Sequence, residues 1–127
     1  MEPVDKLLKV LIVDDEVSQR TGLAGMVNAW GMSADTASEG GEALEKVASF
    51  SPDVIVTDLN MPGMDGVSMI KEIRKLQTYT GIPIVLLTTE SDAEKKAQAK
   101  AAGATGWITK PFQPEQLLSV TKKVLGQ

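Results

Sequence analysis

Val54-Ile55-Val56-Thr57-Asp58-Leu59-Asn60-Met61-Pro62-Gly63-Met64-Asp65-Gly66 is a β-branched run that ends in a carboxylate and passes at once into a turn-rich loop. A parallel strand covered on both sheet faces reads as a continuous Val/Ile run, and residues 54–56 have that character. Pro62-Gly63 and Asp65-Gly66 break any strand or helix that would cross the loop. Asp58 therefore stands where a strand stops and a loop begins. In open α/β sheets, ligands bind outside that carboxyl edge. The plainer alternative is that Asp58 only caps the turn after it.

On both sides of this stretch the chain alternates between strand and helix patterns. Residues 7–13 read as a first strand, buried at Val10, Leu11, Ile12 and Val13, and they run into Asp14-Asp15-Glu16. Residues 17–29 have helical spacing, with Val17, Leu23, Val27 and Trp30 on the inward stripe. Gly22 and Gly25 weaken this helix and Gly31 ends it. Residues 32–37 alternate weakly, as a short edge strand does. Residues 41–50 form a second helix with Ala43, Leu44, Val47 and Phe50 on one stripe. A third helix covers 67–76, with Ile70 and Ile73 inward, and a fourth buried run covers 84–87 before Thr88-Thr89-Glu90. Residues 91–102 make a fourth helix, capped by Ser91 with Glu94 three residues on. Its inward residues are expected at Ala93, Ala97, Ala101 and Ala102. Alanine buries little area, so this helix is expected to be the least anchored and the readiest to shift. A fifth strand at 105–109 leads into Lys110-Pro111. The last helix, 114–125, presents Leu117, Leu118, Thr121, Val124 and Leu125 on one face.

Five strand runs alternating with five helical runs imply an α/β fold: a doubly wound five-stranded parallel sheet in the order 2-1-3-4-5, a flavodoxin-like (βα)5 arrangement. No repeat, low-complexity stretch or linker interrupts residues 1–127, which read as one domain with no output domain attached. The apolar share of 43% and the charged share of 24% suit a soluble globular chain. There is no Cys and no His, which excludes disulfides, thiolate nucleophiles, imidazole bases and the usual zinc ligands. A net charge of −4 argues against direct nucleic-acid binding. No apolar run has the length of a membrane span and no secretion signal is visible, so a cytoplasmic location is expected.

The strand ends carry the chemistry: Asp14 and Asp15 after the first, Asp58 after the third, Thr88 and Thr89 after the fourth, and Lys110 after the fifth. Each alone is unremarked surface chemistry, but a doubly wound sheet converges them on one crevice. Three carboxylates there repel one another, so either a pKa rises or a cation enters. An all-oxygen site favours Mg²⁺. Asp15 and Asp58 are expected as direct ligands and Asp14 directly or through water. A loop carbonyl, first of all that of Asn60, completes the protein's share. This is the parts set for phosphoryl transfer: Asp58 as the nucleophile, Lys110 offsetting charge on the phosphoryl oxygens, and Thr88 donating to one of them.

Val13-Asp14-Asp15, Asp58-Leu59-Asn60-Met61-Pro62-Gly63-Met64-Asp65-Gly66, Thr88 and Lys110-Pro111-Phe112 together resemble the receiver domains of two-component response regulators, over essentially the whole chain. The resemblance implies phosphorylation of Asp58 by a sensor histidine kinase and Mg²⁺ held by Asp14, Asp15, Asp58 and the Asn60 carbonyl. It implies signalling to a downstream protein through the face of the fourth helix, fifth strand and fifth helix, and a cis peptide before Pro111. Such a domain is a switch that catalyses only its own phosphorylation and dephosphorylation, as a monomer or a phosphorylation-dependent dimer. Asn60 and Glu90 fall where the family tunes phosphate lifetime and match stand-alone chemotaxis regulators of the CheY type. The first half also resembles receivers attached to transcriptional activators. Trp107 takes the place of the family's rotating aromatic, usually Tyr or Phe, and is assigned to the switch with Thr88. Indole is bulkier and donates only through nitrogen, which points to the partner surface more than to the usual swing. Ser91 and Asp92 replace the basic residues frequent in chemotaxis regulators, a departure that weighs against a flagellar-motor partner.

A phosphatase of the haloacid dehalogenase type would use similar parts. It needs an acid two residues after its nucleophile, where this chain has Asn60. A flavodoxin-like cofactor carrier needs a Ser/Thr/Gly loop after the first strand, where Asp14-Asp15-Glu16 would repel a phosphate. A receiver that works without phosphorylation would not need the full acidic, hydroxyl and lysine set.

Overall fold

In a computed structural model that describes residues 8–59, 66–76, 81–88 and 93–126, strands and helices alternate throughout. In chain order they are β1 (Lys9–Val13), α1 (Val17–Ala29), β2 (Ser33–Ala37), α2 (Gly40–Phe50) and β3 (Val54–Asp58). There follow α3 (Gly66–Lys75), β4 (Ile84–Thr88), α4 (Ala93–Ala102), β5 (Gly106–Thr109) and α5 (Pro114–Val124). All strand pairs are parallel and the sheet order is β2-β1-β3-β4-β5, as the alternation implied. Among the described residues, no helix is long and apolar enough to cross a membrane.

The period of two along each strand divides the core into two layers. Leu11, Val13, Ile55, Ile84 and Leu86 face α2, α3 and α4, where Val47, Ile70, Ile73 and Ala99 meet them. Val10, Ile12, Val54, Val56, Val85, Leu87 and Ile108 face the opposite way, against Leu23 and Val27 of α1 and Leu117 of α5. β1 and β3 are adjacent, yet their chains continue to opposite ends of the sheet. The crevice of the switch point opens there, at the carboxyl edge.

Two inward faces differ from the sequence expectation. Val17 is 61% exposed, while Leu23 and Val27 are buried. At 3.6 residues per turn Val17 lies about 120° round the helix from Leu23, off the stripe that Leu23 and Val27 define. In α4 the buried residue is Ala99, with Ala102 packed beside it, whereas Ala93, Ala97 and Ala101 are exposed. Alanines at several helical phases make the pattern degenerate. The Ala99–Ala102 spacing of three wins because it meets the core layer under α3. The small buried area expected of α4 is observed: Ala99 is its one buried side chain among the described residues. The assigned cap Ser91 lies outside the described residues, as does Leu7. Leu76 is also exposed, just past the end of α3.

The far end of α4 is tied down from α3. Arg74 Nη1 donates to the Ile82 carbonyl at 2.7 Å and Nη2 to the Gly103 carbonyl at 2.6 Å. Gly103 has φ +121°, and a Cβ there would stand 2.7 Å from Arg74 Nε. Glycine is therefore required on two counts, backbone conformation and space.

Candidate functional site

Strand register builds the site. Val13 is level with Thr57, so the residues that follow them, Asp14 and Asp58, emerge side by side. Asp58 pairs with Leu87, one residue before Thr88. Thr88 pairs with Thr109, one residue before Lys110, and the Lys110 N–H donates to the Thr88 carbonyl at 2.6 Å. Four residues from four strand ends, Asp14, Asp58, Thr88 and Lys110, thereby share one rim.

The carboxylates of Asp14, Asp15 and Asp58 offer oxygens that all lie within 4.8 Å of one another. Asp14 is fully buried, Asp58 half-buried and Asp15 exposed. Asp58 Oδ1 accepts from Lys110 Nζ at 3.1 Å and from the Leu59 N–H at 2.9 Å. Burial pushes the Asp58 carboxyl above its ordinary value and the neighbouring Asp14 charge adds to this, while Lys110 and the Leu59 amide pull the other way. Thr88 is buried at the end of β4. The donor set is oxygen only and carries three negative charges around one point, which fits a hard divalent cation and not a soft one. The peptide Lys110–Pro111 is cis, as the family resemblance implied.

Three supporting residues escaped the sequence reading. Gln19 Nε2 donates to Asp14 Oδ2, and Arg20 Nη1 donates to the Asp14 carbonyl at 2.8 Å. Both sit on the first turns of α1, where polar residues read as solvated surface. Gly66 read only as a breaker, yet a Cβ there would lie 3.0 Å from the Asp58 carbonyl oxygen and from Leu59 Cα. Its missing side chain lets α3 start directly against the end of β3, where the Gly66 N–H donates to the Leu59 carbonyl at 2.9 Å.

Trp107 lies on β5, part-buried against the layer that includes Ala99. Lys96 Nζ and Lys100 Nζ of α4 stand 5.2 Å and 5.5 Å from its ring centroid. Towards α5, Trp107 joins Gly106, Val120, Val124 and Lys123 in lining an open groove of about 420 Å³. Asn60 and Glu90, assigned to phosphate lifetime and, for the Asn60 carbonyl, to the metal, lie outside the described residues.

A family model described as the response regulator receiver domain matches residues 10–122. The DNA-binding transcriptional regulator NtrC of Escherichia coli is 33% identical over 117 residues, 92% of this chain and 24% of that protein. The alkaline phosphatase synthesis transcriptional regulatory protein PhoP of Bacillus subtilis is 36% identical over 117 residues, 92% of this chain and 48% of that one. The chain thus spans about a quarter to a half of the length of these relatives. The solved chemotaxis response regulator CheY4 of Vibrio cholerae is similar at a TM-score of 0.88 and 44% identity, covering 94% of this chain and 99% of that one.

Proposed function

The chain belongs to the response regulator receiver domains, and from that premise we propose that Asp58 is the phosphoacceptor of a Mg²⁺-dependent switch driven by a sensor histidine kinase in the cytoplasm. The observation that carries this reading is the 3.1 Å contact of Lys110 Nζ with Asp58 Oδ1 on the rim that also holds Asp14 and Asp15. Among the described residues, the Leu59 N–H and Lys110 Nζ both donate to Asp58 Oδ1. That leaves Oδ2 as the attacking oxygen.

Asp58 Oδ2 attacks phosphorus in line, the P–N bond of the kinase phosphohistidine breaks, and its electron pair leaves with the imidazole nitrogen. With acetyl phosphate the P–O bond breaks instead and acetate leaves. Lys110 meets the charge on the phosphoryl oxygens, and the Thr88 hydroxyl donates to one of them. Asp14, Asp15 and Asp58 would hold Mg²⁺, which when bound offsets the charge that otherwise keeps an anionic donor away from three carboxylates. Hydrolysis of the acyl phosphate resets the domain, so it turns over only its own modification.

The added charge of about −1.5 to −2 draws on Thr88 and Lys110, at the ends of the strands beside α4. Signal output is assigned to the α4–β5–α5 face, where Trp107 and the groove beside it lie. The likeness to CheY4 over nearly that whole chain supports a chemotaxis-type regulator. The 24% share of NtrC supports the second reading, a receiver portion of a transcriptional regulator. The test is labelling with acetyl phosphate and Mg²⁺: Asp58→Asn abolishes a stoichiometric, base-labile label while circular dichroism stays unchanged. A label retained on another residue, or steady phosphate release from a generic phosphomonoester, would overturn the assignment.

A further inference from the structure

We propose that Gln19 is a positioning residue for the cation-binding trio: its side-chain amide fixes the Asp14 carboxylate, and so sets the affinity of the rim for Mg²⁺. The proposal rests on the reading of the rim as a metal site and adds a residue outside the acidic cluster to it.

Asp14 is the fully buried member of the trio. A buried carboxylate must find donors, because it accepts only. Two are present. The Glu16 N–H reaches Oδ1 at 2.9 Å, and Gln19 Nε2 reaches Oδ2. Since a carboxylate cannot donate, the amide nitrogen and not its oxygen faces Asp14, whatever the ambiguity of amide orientation elsewhere. The nearby cations are directed to other atoms: Lys110 to Asp58, and Arg20 to the Asp14 backbone carbonyl. Asp14 is therefore oriented by neutral dipoles. Its direction is fixed while the negative charge that attracts a divalent ion is left intact. A carboxylate has about four lone-pair positions. The described residues use two of them.

Gln19 is itself held in place. Its backbone N–H donates to Glu16 Oε1 at 2.7 Å, the cap of α1. The Glu16 N–H, the Glu16 side chain and the Gln19 side chain thus close a ring of three hydrogen bonds that begins and ends on Asp14. The start of α1 is in this way coupled to the orientation of the acidic rim. Partners of this kind typically change metal affinity by about 10–100-fold when removed.

Gln19→Met keeps the length of the side chain and removes the donor. Titration of the metal-free protein with Mg²⁺, followed by tryptophan fluorescence, is expected to show at least a tenfold weaker midpoint in Gln19→Met. Removing a donor from a buried carboxylate should also lower the variant's thermal midpoint in EDTA by a few degrees, so circular dichroism must show it still fully folded at the titration temperature. In ¹⁵N-labelled wild type the Gln19 Nε2H₂ resonances should move on adding Mg²⁺, and they should also move in metal-free Asp14→Ala. An unchanged Mg²⁺ midpoint in Gln19→Met would overturn the proposal. So would a weakened midpoint accompanied by loss of the folded circular-dichroism spectrum at the titration temperature, or side-chain amide resonances indifferent to both Mg²⁺ and Asp14→Ala. If folded wild type binds no Mg²⁺ at all, the metal reading fails first and this proposal with it, a result distinct from failure of Gln19 alone.

Discussion

Lys110 and Asp58 stand 52 residues apart in sequence and 3.1 Å apart in space, Nζ to Oδ1, with only 24% and 14% of their side chains exposed. A cation so placed opposes the burial that raises the Asp58 carboxyl, and it is already where a phosphoryl oxygen would need it. Lys110→Met should therefore push the Asp58 carboxyl still higher and slow labelling by acetyl phosphate by about 100- to 1,000-fold, the usual cost of one charge-stabilising donor. Rates from quenched time points would show it. A variant labelled at the wild-type rate would separate Lys110 from the chemistry.

The raised Asp58 carboxyl also has a stability consequence with a definite sign. The folded state holds this proton more tightly than the unfolded state does. Its contribution is thus fully present below the ordinary value of 3.8 and is lost as pH rises through the folded value. At neutral pH the metal-free protein carries an incompletely compensated charge at this site. Asp58→Asn removes that charge, so in EDTA its thermal midpoint should lie above wild type by about 2–5 °C, with the gap closing as pH falls towards about 4. Mg²⁺ should raise the wild type and leave Asp58→Asn nearly unmoved, because a protonated or amide side chain is a poor ligand. Paired melting curves against pH, with and without Mg²⁺, decide all three points.

The parts of this molecule legible in its sequence are those dictated by single strong preferences. Runs such as Val10 to Val13 and Ile84 to Leu87 can only be buried strands, and once their order follows, Asp14, Asp58, Thr88 and Lys110 must share an edge. Where several arrangements cost the same, the sequence is silent. Alanines at several phases of α4 led to Ala93, Ala97 and Ala101 as its inward face where Ala99 is buried, and a lone Val17 at the start of α1 matched a stripe it does not join. Gln19 and Arg20 were invisible for another reason: their partners are one carboxylate and one carbonyl oxygen, contacts no periodicity encodes. Gly66 and Gly103 could be read as breakers, but not as the places where a neighbouring strand end and the Arg74 side chain take up the missing Cβ.

Gly103 gives a test of packing apart from the rim. Gly103→Ala meets two penalties, a backbone conformation that favours glycine and a Cβ 2.7 Å from Arg74 Nε. The first costs about 1–3 kcal/mol; the second displaces the guanidinium that bonds the Ile82 and Gly103 carbonyls. Urea unfolding should show Gly103→Ala destabilised by more than the backbone penalty alone. In an Arg74→Ala background the same substitution should cost less, because Cγ, Cδ and Nε, which crowd the added Cβ, and the two hydrogen bonds are already gone. Strict additivity of the two changes would mean that Arg74 and Gly103 are not coupled.

Trp107 decides how firmly α4 is held. This helix buries Ala99 and little else, so its packing area is small. Besides the Arg74 tie at its far end, it is held by the pair Lys96 and Lys100, one turn apart, with ammonium groups 5.2 Å and 5.5 Å from the indole centroid. Each such contact at a part-exposed site is worth about 0.5–1 kcal/mol, comparable to what an alanine side chain gains by burial. The indole is thus a fixed post on β5 against which α4 is restrained, and a shift of α4 must break or carry these contacts. Replacing both lysines by methionine keeps the aliphatic stems and removes the cations. Backbone amides of Ala93–Ala102 should then exchange about 5- to 30-fold faster, the factor that 1–2 kcal/mol of lost local stability implies. Amides of α5 should be unaffected, because it packs through Leu117 and Thr121 instead. Hydrogen exchange read by mass spectrometry separates the two helices. Equal protection of α4 in wild type and double variant would show that Ala99 and the Arg74 tie suffice to hold it, and that the lysines over Trp107 contribute nothing to its restraint.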